Sequence, residues 1–149
     1  MAFDPLGIVR TLNEHEVRFA VVGGFAVAAH GVVRATEDLD VVTDRGLANA
    51  ERLTAALRSL NATASQPLEP EVLVRRLDLR VSTDLGQIHL LREVPGIPDY
   101  RRLERESVEV DGIRFEIPTI EALRQMKREA GRDKDRIDLA ELDELHGSG

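Results

Sequence analysis

Phe19-Ala20-Val21-Val22-Gly23-Gly24, thirteen intervening residues, then Asp38-Leu39-Asp40-Val41-Val42: the reading of the whole chain turns on this stretch. The first four residues form a short apolar run that stops at two glycines, which predicts a buried strand ending in a tight turn. Phe25 to His30 is small and apolar and predicts a helix starting just after the glycine pair, with Gly31 closing it. Backbone N–H groups at a helix start have no intrahelical partner, and the helix dipole is positive there. Glycine lets an anion approach such a start closely, so the turn is a candidate phosphate cradle. Asp38 and Asp40 stand two residues apart on the next predicted strand, so their carboxylates share a face about 7 Å apart along it. Paired carboxylates beside a phosphate cradle suit Mg²⁺, a hard ion usually shared between one or two carboxylates and substrate phosphates.

Working outward, Asp4 caps a predicted helix over 4–14 with Pro5 at its first position and Leu6, Val9 and Leu12 at helical spacing. Leu47, Ala50, Leu53, Leu57 and Leu60 mark an amphipathic helix, and a short helix over 71–75 follows Pro67 and Pro70. Alternation over 77–81, a turn at Asp84-Leu85-Gly86 and an apolar run over 87–91 predict two antiparallel strands. A short charged helix is expected over 99–105, then a hairpin over 108–117 turning at Asp111-Gly112. Thr119 caps a helix striped by Ile120, Leu123 and Met126, which Gly131 ends. The last helix, 133–145, is expected to turn Ile137, Leu139, Leu142 and Leu145 inward. The fold class expected is α/β, in the sense of an α+β mixed sheet with flanking helices and a C-terminal helix pair. One domain is expected over residues 1–146, with 147–149 a flexible tail.

Composition narrows the function classes. The chain has 149 residues, 27 Asp+Glu against 20 Lys+Arg, and a net charge of −7. It has no cysteine, which excludes disulfides, thiolate zinc sites and cysteine nucleophiles. With no Trp, one Tyr and four Phe, it has little material for stacking bases. The acidic balance disfavours broad DNA binding, which needs many phosphate-neutralising cations. The longest apolar stretch, Phe19 to Ala29, is too short to span a bilayer, and the N-terminus lacks a basic segment followed by an apolar run. No membrane association and a cytoplasmic location are expected. Positive charge gathers in one place: residues 124–136 hold six cations against three carboxylates. Its ordinary explanation is a solvated helix face. Its functional one is that Lys127 or Lys134 reaches a triphosphate, or that Arg132 clamps an acceptor phosphate.

Taken singly, the glycine pair is an ordinary turn and the aspartates a solvated strand face. Together at this spacing, and joined to Arg34 and Thr36, they point to a site. An apolar residue, Gly-Gly, a spacer of this length and Asp-apolar-Asp-apolar resembles the signature of the polymerase-beta-like nucleotidyltransferase superfamily. The run from Gly23 to Asp40, with Arg34-Ala35-Thr36-Glu37-Asp38-Leu39-Asp40, is similar to bacterial nucleotidyltransferase-like proteins of the AbiEii toxin type. The stretch Lys127 to Leu139 resembles the C-terminal helices of that group.

The resemblance implies transfer of a nucleoside monophosphate from a nucleoside triphosphate to a hydroxyl, with release of pyrophosphate. The acceptor would be an RNA end, a protein side chain or a small molecule. A toxin–antitoxin or defence role is implied in the same way. By matching position Gly23 and Gly24, with Arg34 and Thr36, would hold the nucleotide, and Asp38 and Asp40 would hold Mg²⁺ or Mn²⁺. The family's third carboxylate falls in a segment that here reads Gly86-Gln87-Ile88-His89-Leu90-Leu91, so the expected Asp is His89. An imidazole can act as a base near neutrality, but it is a poor ligand for hard ions. Three outcomes stay open: an altered active enzyme, a nucleotide binder with weak activity, and a degenerate homologue.

Overall fold

A computed structural model describes residues 3–23, 37–75, 78–91, 94–97 and 99–146. Helix α1 (Pro5–Glu14) opens the chain, with the Asp4 side chain accepting from the Gly7 N–H and Pro5 at its first turn. Strands β1 (Phe19–Val22) and β2 (Asp38–Thr43) flank the segment 24–36, so the expected helix at Phe25–His30 lies outside the described residues. Then come α2 (Leu47–Ser59), β3 (Thr63–Ala64), α3 (Pro70–Arg75), β4 (Asp78–Thr83) and β5 (Gly86–Leu91). The chain ends with β6 (Arg105–Val110), β7 (Ile113–Pro118), α4 (Ile120–Ala130) and α5 (Asp133–His146).

The main sheet has the order β1-β2-β5-β4-β3. β1 pairs antiparallel with β2, β2 parallel with β5, and β4 antiparallel with both β5 and β3. The mixed sheet and flanking helices are those expected. Because strand side chains alternate, each strand divides its residues between two faces. One face is largely apolar: Val21, Leu39, Val41, Leu79, Val81, Ile88 and Leu90 pack under Ile8, Val9 and Leu12 of α1 and Leu53, Ala56 and Leu57 of α2. Each such buried aliphatic side chain contributes about 1.5–3 kcal/mol, so this layer is the main support of the sheet.

The other face is split. Ala20, Val22 and Val42 are apolar and are covered by Ala122 and Met126 of α4 with Val94, Ile97, Tyr100 and Leu103. Farther along the sheet the same face carries Asp38, Asp40, His89, Arg80 and Asp78, which no apolar cluster of the described residues covers. Among the described residues the helices therefore roof the β1 half and leave the polar part of this face uncovered.

Three elements differ from expectation. The helix expected over 99–105 is only a single 3₁₀ turn, Tyr100–Arg102, started by the Asp99 side chain. Arg105, Glu106 and Ser107 instead extend the hairpin, pairing with Pro118, Ile117 and Glu116. Their period-2 signal is invisible in the sequence because their side chains are all polar. The hairpin turn itself is as expected, with Asp111 and Gly112 both at positive φ. Leu47, placed in the α2 stripe, is exposed at the first residue of that helix.

The larger difference is in α5. Ile137 and Leu145 are 58% and 57% exposed, Leu139 is half-buried, and only Leu142 is buried as expected. The inward face is Asp135, Asp138 and Leu142. The reason lies in α4, which buries Arg124 and Lys127 on the side that α5 covers. A buried charge without a partner costs several kcal/mol, so α5 presents carboxylates there and its isoleucine and terminal leucine face outward.

Candidate active site

The face-splitting register builds the site. Asp40 on β2 is the Cα partner of His89 on β5, and His89 is in turn the partner of Arg80 on β4. Asp38 lies one step along, opposite Gln87. The pairs place Asp38, Asp40, His89 and Arg80 on a single polar surface. They form one wall of a cleft of about 650 Å³ whose lining also includes Gly23, Lys127, Arg132, Lys134 and Asp135. Of the residues read from the sequence as a site, the cleft brings together Gly23, Asp38, Asp40, His89, Lys127 and Lys134. Gly24, Arg34 and Thr36 lie outside the described residues.

Gly23 is tied to its position by geometry. Its φ is +73°, a conformation L side chains rarely adopt, and a Cβ there would run into the Asp40 carboxylate. The end of β1 and the carboxylate of β2 are therefore in direct contact.

His89 is gripped from both sides. Its Nδ1 lies 3.3 Å from Asp40 Oδ1, and its Nε2 meets Asp78 Oδ1 in a short contact. Arg80 Nη1 donates to Asp38 Oδ2 at 3.2 Å. Burial pushes the Asp40 carboxyl above its ordinary value; the neighbouring His89 and Arg80 pull the other way, and the Asp38 charge adds to the rise. A carboxylate held in this state favours an added positive charge.

Asp78 and Arg80 were not singled out from the sequence. The signal was present: Asp78-Leu79-Arg80-Val81 alternates, and once Leu79 and Val81 are assigned to the core, the two charges fall on the face of Asp38 and Asp40. What the sequence could not give was the strand order that sets β4 next to β5.

The cations of the helix pair behave differently from one another. Lys127 is buried, with Nζ 3.2 Å from Asp135 and 2.9 Å from Asp138. Arg124 pairs with Asp143 at 3.2 Å. Arg132 is exposed but donates from Nε to Asp135 at 2.7 Å. Burial would raise the Asp135 carboxyl, but hydrogen bonds from Arg132 and Lys127 outweigh it and hold it below its ordinary value. Lys134 lines the cleft exposed. No helix among the described residues is long and apolar enough to cross a membrane.

No protein-family model matches the chain, and no curated protein sequence does. Solved structures do. The lincosamide antibiotic adenylyltransferase LnuA, bound to lincomycin, aligns with a TM-score of 0.66 at 14% identity, covering 97% of this chain and 99% of that one. TM1012 of Thermotoga maritima, assigned as a nucleotidyltransferase, aligns with a TM-score of 0.62 at 17% identity over 91% of this chain and 87% of its own. The antibiotic-resistance factor ANT(2'')-Ia aligns with a TM-score of 0.61 at 13% identity over 96% and 89%. At such identities the likeness carries the architecture, and the chain has the nucleotidyltransferase fold.

Proposed function

We propose that the chain is a nucleotidyltransferase that moves a nucleoside monophosphate from a nucleoside triphosphate to a hydroxyl acceptor. The observation that carries this reading is the placement of Asp38 and Asp40 on one wall of a cleft that also contains Gly23 and Lys134. The fold shared with LnuA and ANT(2'')-Ia supports it. Gly23, with Gly24, Arg34 and Thr36, would hold the triphosphate, and Lys134 would meet its charge from α5. Lys127 would do so only by giving up its two carboxylates. The AbiEii-type affinity and a toxin–antitoxin role belong to this proposal, as do RNA or protein acceptors beside small molecules.

The donor set bears on the metal. Asp38 and Asp40 supply hard oxygen ligands, but the third position offers nitrogen, and no group of three or more His, Cys, Asp or Glu among the described residues could hold an ion. Two carboxylates suit an ion that arrives with phosphate oxygens of its own. Asp38 and Asp40 would hold Mg²⁺ or Mn²⁺, which supplies charge neutralisation for the triphosphate when bound.

The remaining chemistry is assigned to side chains. The acceptor oxygen attacks the α-phosphorus, the bond from that phosphorus to the bridging oxygen breaks, and pyrophosphate leaves with the electron pair. The acceptor proton passes to His89. In the tautomer whose Nε2–H donates to Asp78, Nδ1, which faces Asp40 at 3.3 Å, would take the proton, and the imidazolium formed is flanked by two carboxylates.

A second reading has its own observation. Arg80 on Asp38 and His89 on Asp40 already place a cation-forming group on each carboxylate. That arrangement also fits a pseudo-enzyme that binds nucleotide or a partner protein without turnover. One experiment separates the two: ATP, GTP, CTP and UTP, each with Mg²⁺ or Mn²⁺, are titrated calorimetrically, and products are followed by mass spectrometry for the native chain and His89→Asp. If His89 is the working base, His89→Asp lowers transfer. A gain of activity in that variant assigns His89 as the disabling change. No binding of any triphosphate with either ion would end the enzyme reading and the nucleotide-binding form of the second.

A further inference from the structure

His89 stands between two carboxylates that belong to different strands. Asp40 of β2 is its direct Cα partner on one side, with Oδ1 3.3 Å from Nδ1. On the other side its direct partner is Arg80 of β4, and Asp78 lies two residues back along β4, diagonal to His89 on the same face. Diagonal positions of an antiparallel pair are about 7–8 Å apart, a gap that an aromatic ring can cover. The imidazole covers it here, and Nε2 meets Asp78 Oδ1 in the closer of the two contacts. Arg80 is engaged elsewhere: its side chain crosses β5 to reach Asp38 Oδ2 on β2. The two charges of β4 thus divide the site between them, Arg80 on Asp38 and Asp78 on His89.

A neutral imidazole has one N–H and one bare nitrogen. Between two carboxylates it can donate to only one of them, so the site has two tautomers with different consequences. With the hydrogen on Nδ1, Asp40 receives it, and the bare nitrogen is turned toward Asp78, which is not among the lining residues of the cleft. With the hydrogen on Nε2, Asp78 receives it, and the bare nitrogen is Nδ1, on the side of Asp40, which does line the cleft. Only the second form presents a proton acceptor to a molecule bound in the cleft. Which carboxylate takes the hydrogen therefore decides whether His89 can work there as a base.

We propose that Asp78 is a positioning residue: it takes the Nε2–H of His89 and so holds the bare Nδ1 on the cleft side. What that nitrogen then does rests on the nucleotidyltransferase reading above; the hydrogen-bond assignment itself does not. The closer contact to Asp78 supports the assignment. So does the placement of the two groups. The His89 side chain is only 16% exposed and has strand neighbours on both sides, so its ring is held in place. Asp78 is 60% exposed, so replacing it removes a hydrogen-bond partner and no core contact. Asp78 would touch neither nucleotide nor acceptor. It acts through the ring, as the orienting carboxylate of a base does in other enzymes.

The test is NMR of the full chain, isotopically labelled at the ring nitrogens of its four histidines, without nucleotide or metal. His89 is assigned as the ring whose signals vanish in His89→Gln, and spectra are taken at a pH where those signals no longer move. The native ring is expected to carry its hydrogen on Nε2 and to leave Nδ1 bare. Asp78→Ala should move the hydrogen to Nδ1, where Asp40 receives it. Asp78→Asn, whose amide oxygen still accepts, should keep the native form. A native ring with its hydrogen on Nδ1, or an unchanged ring in Asp78→Ala, would overturn the proposal. Turnover gives a second arm. Asp78→Ala should lower kcat about a hundredfold, the lower end of what a positioned base contributes. The KM for the triphosphate should stay within about twofold, and Asp78→Asn should recover most of the rate. A native kcat in Asp78→Ala would refute the positioning role. Absence of transfer by the native chain, with a ring that still answers to Asp78→Ala, would instead refute the reaction and keep the hydrogen bond.

Discussion

Two groups of charges reach the same cleft, one from the sheet and one from between the last two helices. On the sheet, Asp38, Asp40 and Asp78 meet His89 and Arg80 at partly exposed positions, and burial holds the Asp40 carboxyl above its ordinary value. Between the helices, Asp135 and Asp138 meet Lys127, with Arg132 on Asp135, and the Asp135 carboxyl is held below its ordinary value. The opposite signs have opposite consequences. A carboxyl with a raised folded value costs stability while ionised, and that cost is relieved as pH falls through the raised value. A carboxyl with a lowered folded value contributes stability above its unfolded value and loses it as pH falls through the folded one. The sheet group is therefore held in a state that a bound cation would relieve, whereas the helix group is complete within the chain. Position in a cleft does not separate these roles; the balance of burial against partners does.

The largest effect expected is on the sheet group. Asp38→Ala with Asp40→Ala should abolish metal-dependent nucleotide transfer, since charge stabilisation of this kind supplies several kcal/mol in the transition state, about a thousandfold in rate. The same double variant should keep its fold, because neither side chain belongs to the apolar clusters. Transfer that survives the double substitution, followed by mass spectrometry of the product, would remove these residues from the mechanism.

The helix group should answer in stability instead. Asp138→Ala leaves Lys127 buried with one carboxylate fewer, and breaking a buried pair costs about 3–5 kcal/mol. Urea unfolding would read this as a lower midpoint with the slope kept. The pH arm has a definite sign: as pH drops below about 3.9, the unfolded Asp value, the native chain should lose the part of its stability that comes from Asp135 ionisation. An unfolding midpoint indifferent to pH in that range would show that the Lys127 pairs add nothing net.

A smaller effect, of the opposite direction, returns to the sheet. Asp40→Asn removes the charge that burial opposes, so thermal unfolding should show about 1 kcal/mol of gain, within the range typical of relieving a strained functional site. Loss of stability in this variant would mean that the Asp40–His89 attraction outweighs the burial cost, and the contrast between the two groups would fail.

Much of this was legible in the sequence, and the reasons differ by element. The strand–glycine–glycine start and the Asp38-Leu39-Asp40 alternation fixed one sheet edge of the cleft, because period and turn chemistry are local. Thr119 and Gly131 bounded α4 for the same reason: the Thr119 hydroxyl accepts from the Ala122 N–H, and Gly131 takes the left-handed conformation. His89 was found by position within a resemblance, and β5 does set it beside Asp40. Asp78 and Arg80 are not legible in the sequence, because their importance depends on which strand lies next to β5, a long-range fact with no local signature. The face of α5 is not legible this way, because hydrophobic periodicity weights its leucines and isoleucine above Asp135, Asp138 and Asp143, which meet the cations of α4. That weighting fails when the neighbouring helix buries cations.

The smallest effect expected bears on the face of α5. If α5 faced inward through Ile137 and Leu145, replacing either would open a cavity and cost about 2–5 kcal/mol. Both are more than half exposed, so Ile137→Gln and Leu145→Gln should each stay within about 0.5 kcal/mol of the native chain. Leu142, fully buried against Leu123, supplies the internal control, since Leu142→Ala should cost the cavity range. The three variants together measure which face of α5 is docked. A large loss at Ile137 with tolerance at Leu142 would require the helix to be turned about its axis. The Lys127 pairs with Asp135 and Asp138 could not then exist, and Lys127 would become available to a triphosphate after all.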